Sequence, residues 1–454
     1  MKLSWKLAIA VVVIFVLLQC VRPSIPSKPP TAEIQVPPNI HQILEKSCYS
    51  CHSDERRLAW FDEIQPGYWL VRRDILTARE HLNFSTLGSK PAAAQKGSLY
   101  EAVSMIQLGA MPLPRFLALH PDAKVSPEEL AELKAYLSPW APLPAAASNS
   151  SQPSTAGSGP LLPDLQNVKA EWNGLAFDPS FETWKPLSYT DRGDNNSFRF
   201  ILGNDIAIQA AESGHISPWP DGARFAKVAW QQELGNDGIV YPGKFIQVEL
   251  MVKDAQKYAS TEGWGWGRWR GLDLKPYGTD ARFVNECTSC HLPVKGNDYV
   301  YTLPITSAQS TLLEEVNNRA ASLPASLPYQ ALRWTPISMF VDRQSHTMST
   351  LYGNQAAITS VDARSSSPSA PHYQPGSVLA LVTWVQRDDP HWFGARIPDL
   401  PTSVEFVTVG PQNNPPNNPY RRFQGPNLTE TPAASDAIAQ RTSFMLNLKP
   451  ASLP

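Results

Sequence analysis

The chain has 454 residues, 42% of them hydrophobic, and a formal net charge of -2. That length exceeds one compact core and predicts two or three domains, and the near-neutral charge argues against an electrostatic nucleic-acid binder. The 43 prolines predict many loops and stiff connections.

Residues 1–6 carry two lysines, and an unbroken apolar run fills residues 7–18. This pattern is an export signal, with charge held inside and the apolar stretch entering the bilayer. An uncleaved anchor over residues 1–21 and a periplasmic location are expected. Cys20, after Leu17, Leu18 and Gln19, offers a lipoprotein alternative, for which Gln19 is too large. Residues 22–37 are proline-rich and read as a spacer off the membrane.

Helical signals follow over residues 38–140. Ile40, Ile43 and Leu44 share a face, and Val71, Ile75, Ala78 and Leu82 repeat at helical spacing. Ser98 with Glu101 and Ser126 with Glu129 read as capping boxes, with Gly109 ending the first of those helices. An all-α domain is expected here, followed by a Pro/Ala/Ser/Gly linker over residues 141–163.

Beyond the linker, residues 224–230 (RFAKVAW) and 245–252 (FIQVELMV) read as strands, so residues 164–305 are expected to form a β-rich domain. After a connector at 306–332, residues 333–430 repeat its landmarks in the same order. LGN at 202–204 recurs as YGN at 352–354, GARFAKVAW at 222–230 as GSVLALVTW at 376–384, and RWRG at 268–271 as RFQG at 422–425. This second copy aligns Leu381 with Lys227 and Glu405 with Glu249, and lacks a cysteine motif. Residues 431–454 read as a tail. The fold class expected is α+β and multidomain: an all-α module, a β-rich domain and a degenerate repeat of it.

Four of the five cysteines fall in two Cys-x-x-Cys-His pentads, Cys48/Cys51/His52 and Cys287/Cys290/His291. That spacing is the attachment signature of c-type haem: two thiols add to the vinyl groups and the histidine falls under the iron. A redox dithiol needs no histidine, and zinc would want two further ligands nearby. Two covalent haems are therefore expected. For the first, Met111 in GAMP is the candidate sixth ligand, with His81 and His120 as alternatives; a thioether would raise the potential and suit an electron carrier. No such segment follows His291, so the second iron is expected to keep an open side. Lys227 and Glu249 are polar residues in otherwise apolar strands, either lining that side or lying on an ordinary solvated face.

Residues 1–140 resemble the bacterial haem-binding domain family in SCYSCHSDE, AWFDEIQPGYWLV, REHLNFS and MPLPRFLALHP. The resemblance implies a small anchored monohaem module and supports Met111. Residues 198–305 resemble the cytochrome P-460 family and its relative cytochrome c-prime-beta in RFILGNDIA, PDGARFAKVAW, VELMVKDAQKYA, GWGWGRW and ECTSCHLPVKGNDYVYT. That resemblance implies a dimeric β-rich protein, hydroxylamine oxidation, a Lys227–haem cross-link, Glu249 as proton acceptor and Arg199 as a further site residue. The expected function is a tethered dihaem cytochrome acting on hydroxylamine, nitric oxide or a similar small molecule, and passing electrons to a redox protein. The alternatives are a non-catalytic electron-transfer or gas-binding cytochrome, and a scaffold docking respiratory partners. The degenerate repeat could stand in for a second subunit, as an internal pseudo-dimer in place of a homodimer.

Overall fold

The protein is described here from a computed structural model covering residues 2–138, 140, 165–307, 309–366, 373–411, 418–451 and 453. The expected linker at 141–163 lies outside the described residues. The chain divides into two compact units, Met1–Pro139 and Trp140–Pro454.

The first unit is helical: α1 Lys2–Gln19, α2 Pro38–Ser47, α3 Tyr49–His52, α4 Gly67–His81, α5 Phe84–Leu87, α6 Ala92–Gln107, α7 Pro114–Leu117 and α8 Pro127–Leu137. Ile40, Ile43 and Leu44 are buried on α2 as their spacing predicts, and Ser126 with Glu129 forms the reciprocal capping box of α8. Ser98 caps nothing. Helix α6 begins six residues earlier, after Pro91, because the alanines at 92–94 continue a helix that their lack of polar signals hides. The proline-rich segment at 22–37 is a strap and not a free spacer. Ile25 and Ile34 are buried, the Ala32 and Ile34 amides donate to Ser85 and Phe84, and Glu33 accepts from Tyr49 at 2.8 Å. Prolines favour the extended backbone such a strap needs. No helix among the described residues is long and apolar enough to cross a membrane.

In the second unit β1 Lys185–Arg192, β2 Ser197–Gly203, α9 Asp205–Ser213, β3 Arg224–Leu234, β4 Val240–Lys253, β5 Trp264–Arg270 and β6 Lys275–Pro276 precede α10 Arg282–His291. The order then recurs as β7 Thr335–Asp342, β8 Thr347–Gly353, α11 Gln355–Ser366, β9 Val378–Asp388, β10 Ala395–Thr408, β11 Tyr420–Gln424 and β12 Thr429–Glu430, ending in α12 Ser435–Asn447. The twelve strands among the described residues belong to one sheet. Strands β1-β2-β3-β4-β7-β8-β9-β10 run in sequence, and β10 pairs back onto β1, closing an eight-stranded barrel.

Each repeat supplies half of that barrel, and the core inside is common property. Phe198, Trp230, Val248 and Trp269 from the first repeat pack in one cluster with Met339, Tyr352, Trp384 and Val404 from the second. Where the sequence suggests two β domains there is one body, because half a barrel has no enclosed core of its own. The Gly–Trp run of β5 follows from alternation across this wall. A Cβ at Gly265 or Gly267 would lie 2.5 Å from the Tyr258 or Trp269 ring, while Trp264 and Trp266 point to the outer face.

Candidate functional site

The outer face of β2–β5 carries the second pentad. Cys287, Cys290 and His291 form the last turn of α10, with Cys287 against a cluster containing Trp264, Trp266 and Tyr299. The Trp266 ring lies 4.6 Å from that of His291, and His291 Nδ1 donates to the Tyr299 carbonyl at 2.7 Å. A carbonyl can only accept, so the proton is fixed on Nδ1 and the lone pair on Nε2 is offered to a metal. Burial pushes the imidazole down to about 4, keeping it neutral as a ligand must be.

Strand register builds the facing wall. Lys227 on β3 stands opposite Glu249 on β4, which stands opposite Arg268 on β5. This makes a cross-strand row of cation, anion and cation. Lys227 Nζ pairs with Glu249 Oε2, Arg268 Nε donates to Glu249 Oε1 at 3.0 Å, and Gln247 Nε2 donates to the same oxygen. Arg268 also reaches Glu286 at 3.0 Å and lies 4.6 Å from the Tyr277 ring centroid. The row is enclosed but open at one side, with Lys227 29% and Glu249 17% exposed. Burial raises the Glu249 carboxyl, but Lys227 and Arg268 outweigh it and hold it at about 2. Burial lowers Lys227 against the pull of Glu249. Arg268 ties Glu249 to Glu286, the residue before Cys287, and Cys287 packs in the cluster that holds Met251 and Trp266, so row and pentad share one face.

Arg199 on β2 stands across from Ala229, one rank along from Lys227 on the same face. Its Nε is buried with no hydrogen-bond partner, and burial, then Arg192, pushes its guanidinium down to about 9. A buried guanidinium nitrogen with no acceptor calls for an anion, and haem carries two carboxylates. The orphaned donor, the His291 tautomer and the thiols on one helical turn all fit a haem on this face.

Sequence reasoning missed Arg268. It was visible only as a landmark of the repeat, since its approach to Glu249 depends on register. The second repeat reproduces the rank as Leu381, Glu405 and Arg422. There the residues read as a tail form α12, whose Arg441 donates to Glu405 at 2.6 and 2.9 Å while Tyr420 donates at 2.6 Å. Met445 and Leu446 of α12 are buried on this face. A peptide helix thus covers the surface where the first repeat carries its pentad.

In the first unit Cys48 joins α2 to α3, and His52 ends α3 with Nδ1 donating to the Leu82 carbonyl at 2.9 Å. This is the same tautomer lock as at His291. Cys51 packs near Ile25, Tyr68 and Ile75. Burial pushes Cys48 to about 12, Cys51 to about 11 and Cys287 to about 12. A redox dithiol works through a lowered thiol pKa, so these values count against that reading.

Met111 is partly buried in the loop between α6 and α7. Four residues on, Arg115 pairs at 2.8 Å with Asp74 of α4, whose neighbour Ile75 packs with Cys51. His120 is already engaged, Nε2 with Asp62 at 3.1 Å and Nδ1 with Phe116 at 3.2 Å, and His81 is exposed at the end of α4. Met111→Ala is therefore expected to abolish a methionine–haem absorption signature, and His120→Ala to leave it in place. An unchanged spectrum in Met111→Ala would reject the assignment.

Residues 8–139 match the family model described as haem-binding domain, and residues 179–302 match that described as cytochrome P460. No curated protein matches the chain. The chain is thus a haem cytochrome joining these two modules, α+β and multidomain.

Proposed function

We propose that the protein is a periplasmic, membrane-tethered cytochrome with two covalent c-type haems. One is held by Cys48, Cys51 and His52 with Met111, the other by Cys287, Cys290 and His291. The second module binds and oxidises hydroxylamine or a related small nitrogen species, and the first carries electrons towards a redox protein. The observation that carries this reading is the Lys227–Glu249–Arg268 row, set on the same face as the His291 pentad and tied to its helix through Glu286.

Iron in the second haem would supply the open binding position and the electron sink. Glu249 is ionised at neutral pH and positioned to take a proton from a substrate N–H or O–H group. Arg268 orients the carboxylate through Oε1. Lys227 restrains its basicity for as long as the nitrogen is an ammonium. Replacing one N–H of the deprotonated lysine and one ring C–H by a C–N bond, a two-electron oxidation that would need an oxidant such as a peroxide, would remove that charge and leave Glu249 a stronger base. Arg199 offers its unpaired donor to an anionic edge of the group. The second repeat, closing the barrel and covered by α12, takes the place of a second subunit.

Tryptic digestion with mass analysis tests the reading. One haem joining the peptides that contain Lys227 and Cys287–Cys290, together with hydroxylamine turnover by an artificial acceptor, is the expected result. Separate peptides and no turnover would favour the rival, a non-catalytic electron-transfer or gas-binding cytochrome. That rival draws on the two cations that quench Glu249.

A further inference from the structure

The pentad helix is also held from the other repeat. Tyr301 donates its hydroxyl to the Cys290 carbonyl at 2.7 Å, and its ring stands edge-on to His291 with centroids 5.2 Å apart and planes at 78°. The carbonyl of Tyr301 in turn accepts from His391 Nδ1 at 2.7 Å. His391 sits in the turn between β9 and β10, DPHWFG at 389–394, where the first repeat has the shorter GNDGI at 235–239. That turn is itself anchored. The His391 amide donates to Asp389 at 2.8 Å, Trp392 lies 5.7 Å from the Tyr301 ring, and Arg192 caps the Trp392 ring at 4.5 Å.

Residues 299–301 therefore form a short strap fixed at three points. The carbonyl of Tyr299 takes His291, that of Tyr301 takes His391, and the phenol of Tyr301 returns to Cys290. We propose that the degenerate repeat is a positioning element for the second haem, acting through His391 on the strap that orients His291. This rests on the reading that Cys287, Cys290 and His291 hold haem. The hydrogen bond from the non-ligating nitrogen of a metal-bound histidine sets its orientation and basicity, and its loss typically costs 10- to 100-fold in affinity or activity.

His391→Ala is expected to free the strap and weaken the His291 Nδ1 bond. In the reduced full-length protein, the iron–histidine stretching band of the five-coordinate haem should fall in frequency and its reduction potential should rise. The first haem should be unmoved. Haem content by mass should remain parental. His391→Asn, whose side-chain amide keeps a donor, should restore both readouts, and Tyr301→Phe, which removes only the phenol bond, should shift them in the same direction as His391→Ala. Parental frequency and potential in both His391→Ala and Tyr301→Phe would overturn the proposal while leaving the haem reading intact. Absence of haem from the Cys287–Cys290 peptide of the parent protein would overturn both.

Discussion

Glu249→Gln is expected to lower hydroxylamine turnover by about 100-fold or more, the range a positioned proton acceptor contributes. Glutamine has nearly the same volume and its one carbonyl oxygen can still accept from Arg268 and Gln247, while the pairing of Oε2 with Lys227 is lost together with the base. Haem content and the spectrum of the first haem should stay parental, which separates a chemical loss from a folding one. Lys227→Arg probes the same row from the other side. It keeps a cation beside Glu249, which holds the carboxyl low, and it cannot form the lysine bond to the ring. A carboxylate with so low a pKa pulls protons poorly at neutral pH. The acid limb of the pH–rate profile should therefore lie at lower pH in Lys227→Arg than in the parent, with a lower plateau. Parental turnover in Glu249→Gln, or a parental profile in Lys227→Arg, would remove the row from the mechanism.

Trp384→Ala, in the repeat that lacks a pentad, is expected to destabilise the second unit by about 3–5 kcal/mol, the usual cost of emptying a fully buried tryptophan site. Trp384 is 0% exposed and donates to the Ala321 carbonyl at 3.0 Å. Its ring lies 6.0 Å from Tyr189 of the first repeat, within the core cluster that both halves line. With β1 paired to β10 and β4 to β7, neither half can open without exposing the other's core. Loss of the second haem's native absorption should therefore move to lower temperature by several degrees and remain one transition. An unmoved transition at the haem, with loss of structure only in the second repeat, would show that the halves are independent. The same physics predicts that a fragment ending near residue 305 makes a poor test of the haem site, since it would cut the barrel in two.

Much of the chemistry was legible in the sequence because it is local. Cys-x-x-Cys-His needs only one helical turn to place two thiols and an imidazole, so both pentads could be read directly, and both histidines carry the same Nδ1-to-carbonyl lock. Alternation in RFAKVAW and QVELMV placed Lys227 and Glu249 on accessible faces, and the repeat paired Glu249 with Glu405 before any register was known. Ser98 is no cap because Ala92–Gln107 runs through it from a start after Pro91, with Leu99, Tyr100 and Val103 buried beyond it. The strap at 22–37 reads as a spacer because extended proline-rich chain looks the same in sequence whether it is free or packed.

Composition, periodicity and two pentads determined by themselves that this is a haem-carrying chain with a helical module, a β module and a diverged copy. Those features depend on spacing along the chain, which a sequence states outright. Tertiary structure alone decided that the two copies close one barrel, that Arg268 joins Lys227 at Glu249, that α12 covers the repeat without a pentad, and that His391 reaches the strap behind His291. Each of these joins residues between 19 (Arg268 and Glu249) and 205 (Asp191 and Arg396, 396 − 191) positions apart. Such meetings are fixed by strand register and barrel closure, which emerge only when the whole core is assembled.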